Sequence, residues 1–185
     1  MRRYALILLF LLCTAAHTEE TSGGVQVVDG DSIRIRGREI RLQGIDAPEG
    51  KQKCRIEGED WACGEAASEA LQLIVGGDSI RCHWSQLDRY ERALATCYRG
   101  TNDVAGLLVV RGLALAYTRY SDKYVPDQEQ AKAEKKGLWA SAFISPWEWR
   151  RGARLVGNEL PDIDCPVKGN VNSKGDKIYH VKGWR

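Results

Sequence analysis

Two short runs, residues 32–36 and 39–44, alternate strictly between apolar and polar side chains, and they constrain the fold more than any other stretch. Ile33 and Ile35 answer Ile40 and Leu42 on one face, while Arg34 and Arg36 answer Arg41 and Gln43 on the other. A period of two means extended strands with one buried face, and Gly37-Arg38 between them reads as a tight hairpin turn. Val25–Asp29, just ahead, is a further apolar run ended by Gly30. The second strand leaves the Asp29-Gly30-Asp31 turn and the third returns towards it, ending at Asp46. The carboxylates of Asp29, Asp31, Asp46 and Glu49 therefore converge at one end of a three-stranded meander.

The remaining periodicity supplies the parts of a small barrel. Residues 64–75 carry Ala67, Ala70, Leu71 and Ile74 at helical spacing, and Gly76-Gly77 stops them. Two strand-like runs, 79–84 and 93–98, follow, joined by the polar loop 86–92. Asn102 or Asp103 can cap a second helix that runs through Leu107, Leu108 and Arg111 to Gly112. Residues 113–117 are short and apolar; 127–136 form a charged third helix closed by Gly137, after which Leu138 and Trp139 pack back. Five strands with a helix after the third predict a mainly-β α+β fold, a five-stranded OB-fold barrel with about three helices.

The 185 residues are 43% hydrophobic and 28% charged, which suits one soluble domain and excludes collagen, a long coiled coil and a polytopic membrane protein. Met1-Arg2-Arg3, the apolar stretch from Tyr4 to Leu12 and the small residues Thr14 and Ala16 predict a signal peptide over 1–16, hence a periplasmic or secreted protein. Leu12 stands before Cys13 where a lipid-modified cysteine would follow a small residue, and the apolar stretch is too short to span a bilayer. Without Arg2 and Arg3, the 27 basic residues become 25 against 25 acidic ones, so a polyanion must be held by a local patch rather than by net charge. One folded domain is expected over 25–150, a linker over 151–164 and a short basic tail over 165–185, in a chain that acts as a monomer.

Five cysteines remain after the leader, and an oxidising compartment favours pairing. Cys54 and Cys63 flank a charged, glycine-containing loop where a short staple fits. Cys82 and Cys97 either bridge two strands or fill small spaces in the core as thiols, and Cys165 is left over. No Cys/His spacing suggests zinc.

Clustered carboxylates repel one another unless a positive charge sits among them. A hard divalent cation with oxygen ligands answers that need, Ca2+ before Mg2+ in a loop-rich site, with Asp31 and Asp46 as direct ligands and Asp29 and Glu49 through water. The alternative is a solvated acidic turn, since Asp-Gly-Asp is common in hairpins. Arg41 on the polar face beside the cluster, and Arg92 at the end of the Asp88-Arg89-Tyr90-Glu91-Arg92 loop, weigh for the first reading. Carboxylates, a metal and two arginines are the parts that neutralise a phosphodiester and direct water at it.

Taken in order, Val28-Asp-Gly-Asp-Ser32, Arg41-Leu-Gln-Gly-Ile-Asp-Ala-Pro-Glu49, Asp88-Arg-Tyr-Glu-Arg92 and Gly137-Leu-Trp139 resemble the staphylococcal nuclease (thermonuclease) family over about residues 25–150. The resemblance implies an OB-barrel, Ca2+-dependent nuclease that cuts DNA and RNA to 3'-phosphate ends. It implies Asp31, Asp46 and the Ala47 backbone carbonyl as Ca2+ ligands, Glu49 as general base or water-orienting residue, and Arg41 and Arg92 on the scissile phosphate. Arg89, Tyr90 and Tyr117 fall on its substrate side. Three departures stand out: Ser32 and Ala47 each replace a threonine, and Glu91 replaces a glycine beside Arg92. The tail from Cys165 resembles a short module that follows bacterial nuclease domains of this kind, here cut short, with Lys168, Lys174, Lys177, Lys182 and Arg185 against Asp176. Two other classes are carried alongside: an OB-fold nucleic-acid-binding module with weak or no catalysis, and an envelope or polysaccharide-biosynthesis accessory that only the leader supports.

Overall fold

The computed structural model describes residues 18–77 and 79–155, and the strand backbone of 167–171 and 177–181. The leader at 1–16, most of the linker and Cys165 lie outside the described residues. The chain enters through β1 (Glu19–Gly23) and β2 (Val25–Asp29), two halves of one extended stretch bent at Gly23-Gly24. β3 (Ser32–Ile35) and β4 (Arg38–Leu42) then pair antiparallel with Ile33 opposite Ile40. Ile33, Ile35, Ile40 and Leu42 are fully buried, so the predicted apolar face is the barrel interior. The turn lies one residue earlier than expected: Arg36 and Gly37 take φ of +50° and +81°, and Ile35 pairs with Arg38. A two-residue loop with both φ positive matches the twist of the strands it joins, and this fixes the register.

Beyond β4 come β5 (Ile45–Asp46), a small hairpin of β6 (Cys54–Ile56) and β7 (Glu59–Trp61), and α1 (Cys63–Val75). β8 (Ile80–Leu87), β9 (Ala93–Arg99) and the short β10 (Asn102–Asp103) precede α2 (Val104–Val110). β11 (Leu115–Ala116), α3 (Val125–Ala133), a 3-10 turn (Gly137–Ala140) and α4 (Pro146–Arg150) follow, and β12 (Val167–Val171) pairs with β13 (Lys177–Val181). The main sheet runs β1-β8-β9-β4-β3-β2, with β9 parallel to β4. Its two ends, β1 and β2, are consecutive in the chain, so the sheet curls back on itself as an OB-type barrel does, and the edge that an open sheet would expose is removed. The predicted first strand thus covered only half of the stretch that closes the barrel.

α1 lays Ala67, Leu71, Ile74 and Val75 into this core. Asp103 is the cap of α2, accepting hydrogen bonds from the N–H groups of Ala105 and Gly106. α3 starts and ends earlier than the predicted 127–136, because Pro126 opens its first turn and Lys135 takes φ +51°. Both expected cysteine pairs are disulfides, Cys54–Cys63 and Cys82–Cys97; the second bridges directly opposed residues of β8 and β9, so the reduced-thiol alternative falls. Cys54 and Cys63 also centre a second small core with Leu115, Leu138 and Phe143, which ties the C-terminal segment to the loop after Glu49.

Candidate active site

The acidic end of the meander depends on two close backbone approaches. A Cβ at position 30 would stand 2.8 Å from the Ala47 Cβ and 2.9 Å from the Ala67 Cβ, so only glycine lets the Asp29–Asp31 turn pack between the Ala47 loop and α1. A Cβ at position 64 would stand 1.8 Å from the Glu49 carbonyl oxygen, so Gly64 brings the Glu49 loop onto the first turn of α1. Between them, Asp31 is fixed on both oxygens: Oδ2 accepts the Ala47 N–H at 3.1 Å and Oδ1 accepts the Ser32 hydroxyl at 3.1 Å. The Asp29 carboxylate turns back on its own loop and accepts the Asp31 N–H at 3.1 Å.

Arg41 reaches this end from β4, as its place on the polar face predicted. Its Nη2 lies 2.9 Å from Asp31 Oδ2 and 2.7 Å from Asp46 Oδ1. Both carboxylates are buried, Asp31 at 3% and Asp46 at 0% exposure, so one guanidinium nitrogen serves two desolvated anions. That is too little positive charge. Burial pushes the Asp31 carboxyl up to about 7 despite the pull of Arg41, and Asp29 and Asp46 push the same way, with the Ala47 N–H opposing them. Burial also works against the Arg41 charge, but Asp31 and Asp46 outweigh it and hold the proton more firmly than usual.

A residue that the sequence reading did not single out completes the cluster. Arg150, at the end of α4, forks Asp46 with Nη2 at 2.6 Å from Oδ2 and Nη1 at 3.1 Å from Oδ1, and the same Nη1 lies 2.5 Å from Glu49 Oε1. Partial burial disfavours its charge, yet the bonds to Asp46 and Glu49 prevail and raise its pKa. Ser145-Pro146 followed by Glu148 is a legible helix start, with the Ser145 hydroxyl 2.8 Å from Glu148 Oε2. Five residues are too few to show a period. Gln52, nearly fully buried, ties the two halves: its Oε1 accepts the Glu49 N–H at 3.2 Å and its Nε2 donates to the Ile144 carbonyl at 2.6 Å.

Arg92 ends the loop just before β9, whose first residue, Ala93, pairs with Ile40 of β4. Its guanidinium is held by Asp88, with Nε at 2.8 Å and Nη2 at 2.7 Å from Oδ2. Partial burial works upward on Asp88, but the Arg92 side chain and the Arg92 and Tyr90 N–H groups bring its carboxyl below the ordinary value. Arg89 and Arg92 both lie over the exposed Tyr90 ring, at 4.9 and 5.5 Å from its centroid. Glu91 adopts φ +64°, the left-handed conformation that glycine takes freely and a glutamate does not. Glu91→Gly is therefore expected to raise stability by roughly 0.5–1 kcal/mol, read as a higher urea midpoint at unchanged m, and it removes an anion beside Arg92. A lower midpoint would show that the side chain, not the backbone, sets this loop.

Tyr117 follows β11, which pairs with β5 so that Leu115 faces Asp46, and its N–H donates to the Gly44 carbonyl at 2.9 Å. The ring stacks on Trp147 of α4 with centroids 5.4 Å apart and planes 11° from parallel. The structure thus gathers Asp31, Asp46, Arg41 and Glu49, adds Arg150, and sets Tyr117 and Trp147 on the flank; Asp88 holds Arg92 and the Tyr90 N–H in a second group, with Arg89 over the Tyr90 ring.

The family model for staphylococcal nuclease homologues matches residues 39–141, a span that includes Arg41, Asp46, Glu49, Arg92 and Tyr117. The chain belongs to the staphylococcal nuclease family. It is 35% identical over 144 residues to the succinoglycan biosynthesis protein ExoI of Rhizobium meliloti, covering 75% of each chain. It is 34% identical over 160 residues to an uncharacterized endonuclease of Escherichia coli, covering 81% of this chain and 98% of the relative. A probable staphylococcal-like nuclease of rice is 34% identical over 130 residues, 68% of this chain and 36% of the plant protein. Within this staphylococcal nuclease homologue, no group of three or more His, Cys, Asp or Glu side chains among the described residues stands arranged as an ion cage. Arg41 and Arg150 lie on the carboxylates instead. The donor set itself suits a hard cation: it offers oxygens alone, and buried Asp31 is short of positive charge.

Proposed function

We propose that the chain is an exported, Ca2+-dependent endonuclease that hydrolyses phosphodiester bonds of DNA and RNA with low sequence preference and leaves 3'-phosphate ends. The observation that carries this reading is Arg41 shared between buried Asp31 and Asp46, in a chain whose residues 39–141 match the staphylococcal nuclease family. The names of the Escherichia coli and rice relatives point the same way. The name of the Rhizobium relative points to polysaccharide synthesis, a reading that for this chain rests on that name and the expected leader, with no site residue behind it.

Asp31, Asp46 and the Ala47 backbone carbonyl would hold Ca2+, with Asp29 and Glu49 through water; a bound cation there supplies Lewis-acid charge beside the phosphate. Arg41 binds a non-bridging oxygen and stabilises the charge that grows on it. Arg92 does the same from the hairpin loop after leaving Asp88. Glu49 orients the attacking water or takes its proton. Water adds to phosphorus as the P–O5' bond breaks; the 3' side keeps the phosphate and the 5' oxygen leaves as a hydroxyl after taking a proton. Tyr117 and Trp147 present aromatic surface beside the site for a base, which stacks without regard to sequence. Among the described residues no helix is long and apolar enough to cross a membrane.

The test is cleavage of single-stranded DNA by the mature protein with Ca2+, alongside Glu49→Gln. The variant is expected to lose about 10²-fold or more in kcat while still binding DNA, since Arg41 and Arg92 still hold the phosphate when the handling of water is lost. The second reading, an OB module that binds without cutting, draws on the Asp88–Arg92 pair and the strained Glu91. It prevails if the parent binds DNA with Ca2+ and leaves it intact.

A further inference from the structure

Arg150 stands apart from the other site residues. It lies beyond the span matched by the family model and comes from a helix that the barrel does not need for closure. Yet it makes the fullest contact with the buried Asp46, taking both oxygens, and reaches Glu49 with the same guanidinium. Its helix is held on independent contacts: the Gln52–Ile144 hydrogen bond, the Trp147–Tyr117 stack, and paired hydrogen bonds between Arg55 and Ala142 at 2.8 and 2.9 Å. Arg150 is therefore delivered to the site by design of the fold rather than by chance of a loose tail.

Two features say what it does there. Asp29, Asp46 and Glu49, with Asp31 once it ionises, bring four negative charges and Arg41 and Arg150 two positive ones, a formal balance of 2 − 4, or minus two, which one divalent cation would neutralise. And the Asp46 side chain is closed to solvent while that of Arg150 is 36% exposed, so the guanidinium covers the carboxylate from the open side, where a phosphate would arrive. We infer that Arg150 is a third phosphate-binding arginine, which holds Asp46 and Glu49 until a divalent cation is bound and then turns to the phosphate. The inference rests on the proposed nuclease reading and deepens it. The planar fork that now grips a carboxylate matches two oxygens of a phosphate equally well. Because Arg150 leaves one anion for another, cation and phosphate occupancy become linked, each raising the affinity for the other.

The test uses Arg150→Gln and calorimetry with two probes, Ca2+ alone and a nucleoside 3',5'-bisphosphate added to the Ca2+-saturated protein. Without its competitor, Ca2+ is expected to bind several-fold tighter, while the bisphosphate binds about tenfold or more weaker. Arg150→Lys keeps the charge without the fork and carries the test if the glutamine variant does not fold; it is expected to lose at least about threefold in bisphosphate affinity. Bisphosphate affinity equal to the parent's, or weaker Ca2+ binding in Arg150→Gln, overturns the inference and leaves Arg150 a structural clamp. If the parent itself binds neither probe, the nuclease reading has failed instead.

Discussion

Replacing Arg41 with methionine is expected to lower kcat for phosphodiester cleavage by about 10³-fold, the scale set by deleting one positioned charge donor from a transition state. The same substitution is expected to cost roughly 3 kcal/mol of stability in Ca2+-free buffer, because it leaves the other charges of a buried pair uncompensated. The second effect follows from geometry already described: a single Nη2 supports both Asp31 and Asp46, and neither carboxylate reaches solvent. Arg150 still holds Asp46, so the unmet charge falls mainly on Asp31. Ca2+ is then expected to restore much of the lost stability and none of the lost rate. Steady-state kinetics on single-stranded DNA and thermal melts with and without Ca2+ separate the two. A variant that keeps kcat within tenfold of the parent would remove Arg41 from the chemistry, and an unchanged melting temperature would remove it from the support of the acidic pair.

How much of this was legible in the sequence depends on the range of the interaction. The meander was, because alternation in 32–36 and 39–44 is a local pattern that fixes which side chains face the core; that in turn placed Arg41 beside Asp31 and Asp46. Its turn was misplaced by one residue because Arg36 takes a positive φ that its side chain does not advertise. The disulfides were legible as pairs of spacings, and the choice between bridge and thiol at Cys82 and Cys97 needed the register of β8 and β9. Glu19–Gly23 was missed because the polar Glu-Glu-Thr-Ser run carries no apolar period; it becomes a strand only through pairing with β8. Arg150 and Gln52 were missed for a different reason. Each acts across about a hundred residues, Arg150 on Asp46 and Gln52 on Ile144, and no local pattern announces a contact of that separation.

The other large effect is a pH-dependent response to Ca2+, and its sign follows from Asp31. The folded protein holds this carboxyl at about 7, above the unfolded value near 3.9, so the native state binds the proton more tightly. The favourable contribution is fully present below about pH 4 and is lost as pH rises towards 7; above that a charged, buried Asp31 costs roughly 4 kcal/mol in the absence of a cation. A cation coordinated by Asp31 removes much of that cost, but only where the proton has left. The rise in melting temperature on adding Ca2+ is therefore expected to be small near pH 5 and to grow through pH 8. Asp31→Asn serves as the control, since it keeps the shape and cannot ionise. In Ca2+-free buffer at pH 8 it is expected to melt above the parent, to gain nothing from Ca2+, and to have lost cleavage. A Ca2+ effect of equal size at pH 5 and pH 8, or an asparagine variant less stable than the parent at pH 8, would place the cation elsewhere than on Asp31. The residue that makes the ion-free site unstable would then not be the one that binds the ion, and the shortage of positive charge around Asp31 would belong to folding rather than to the reaction.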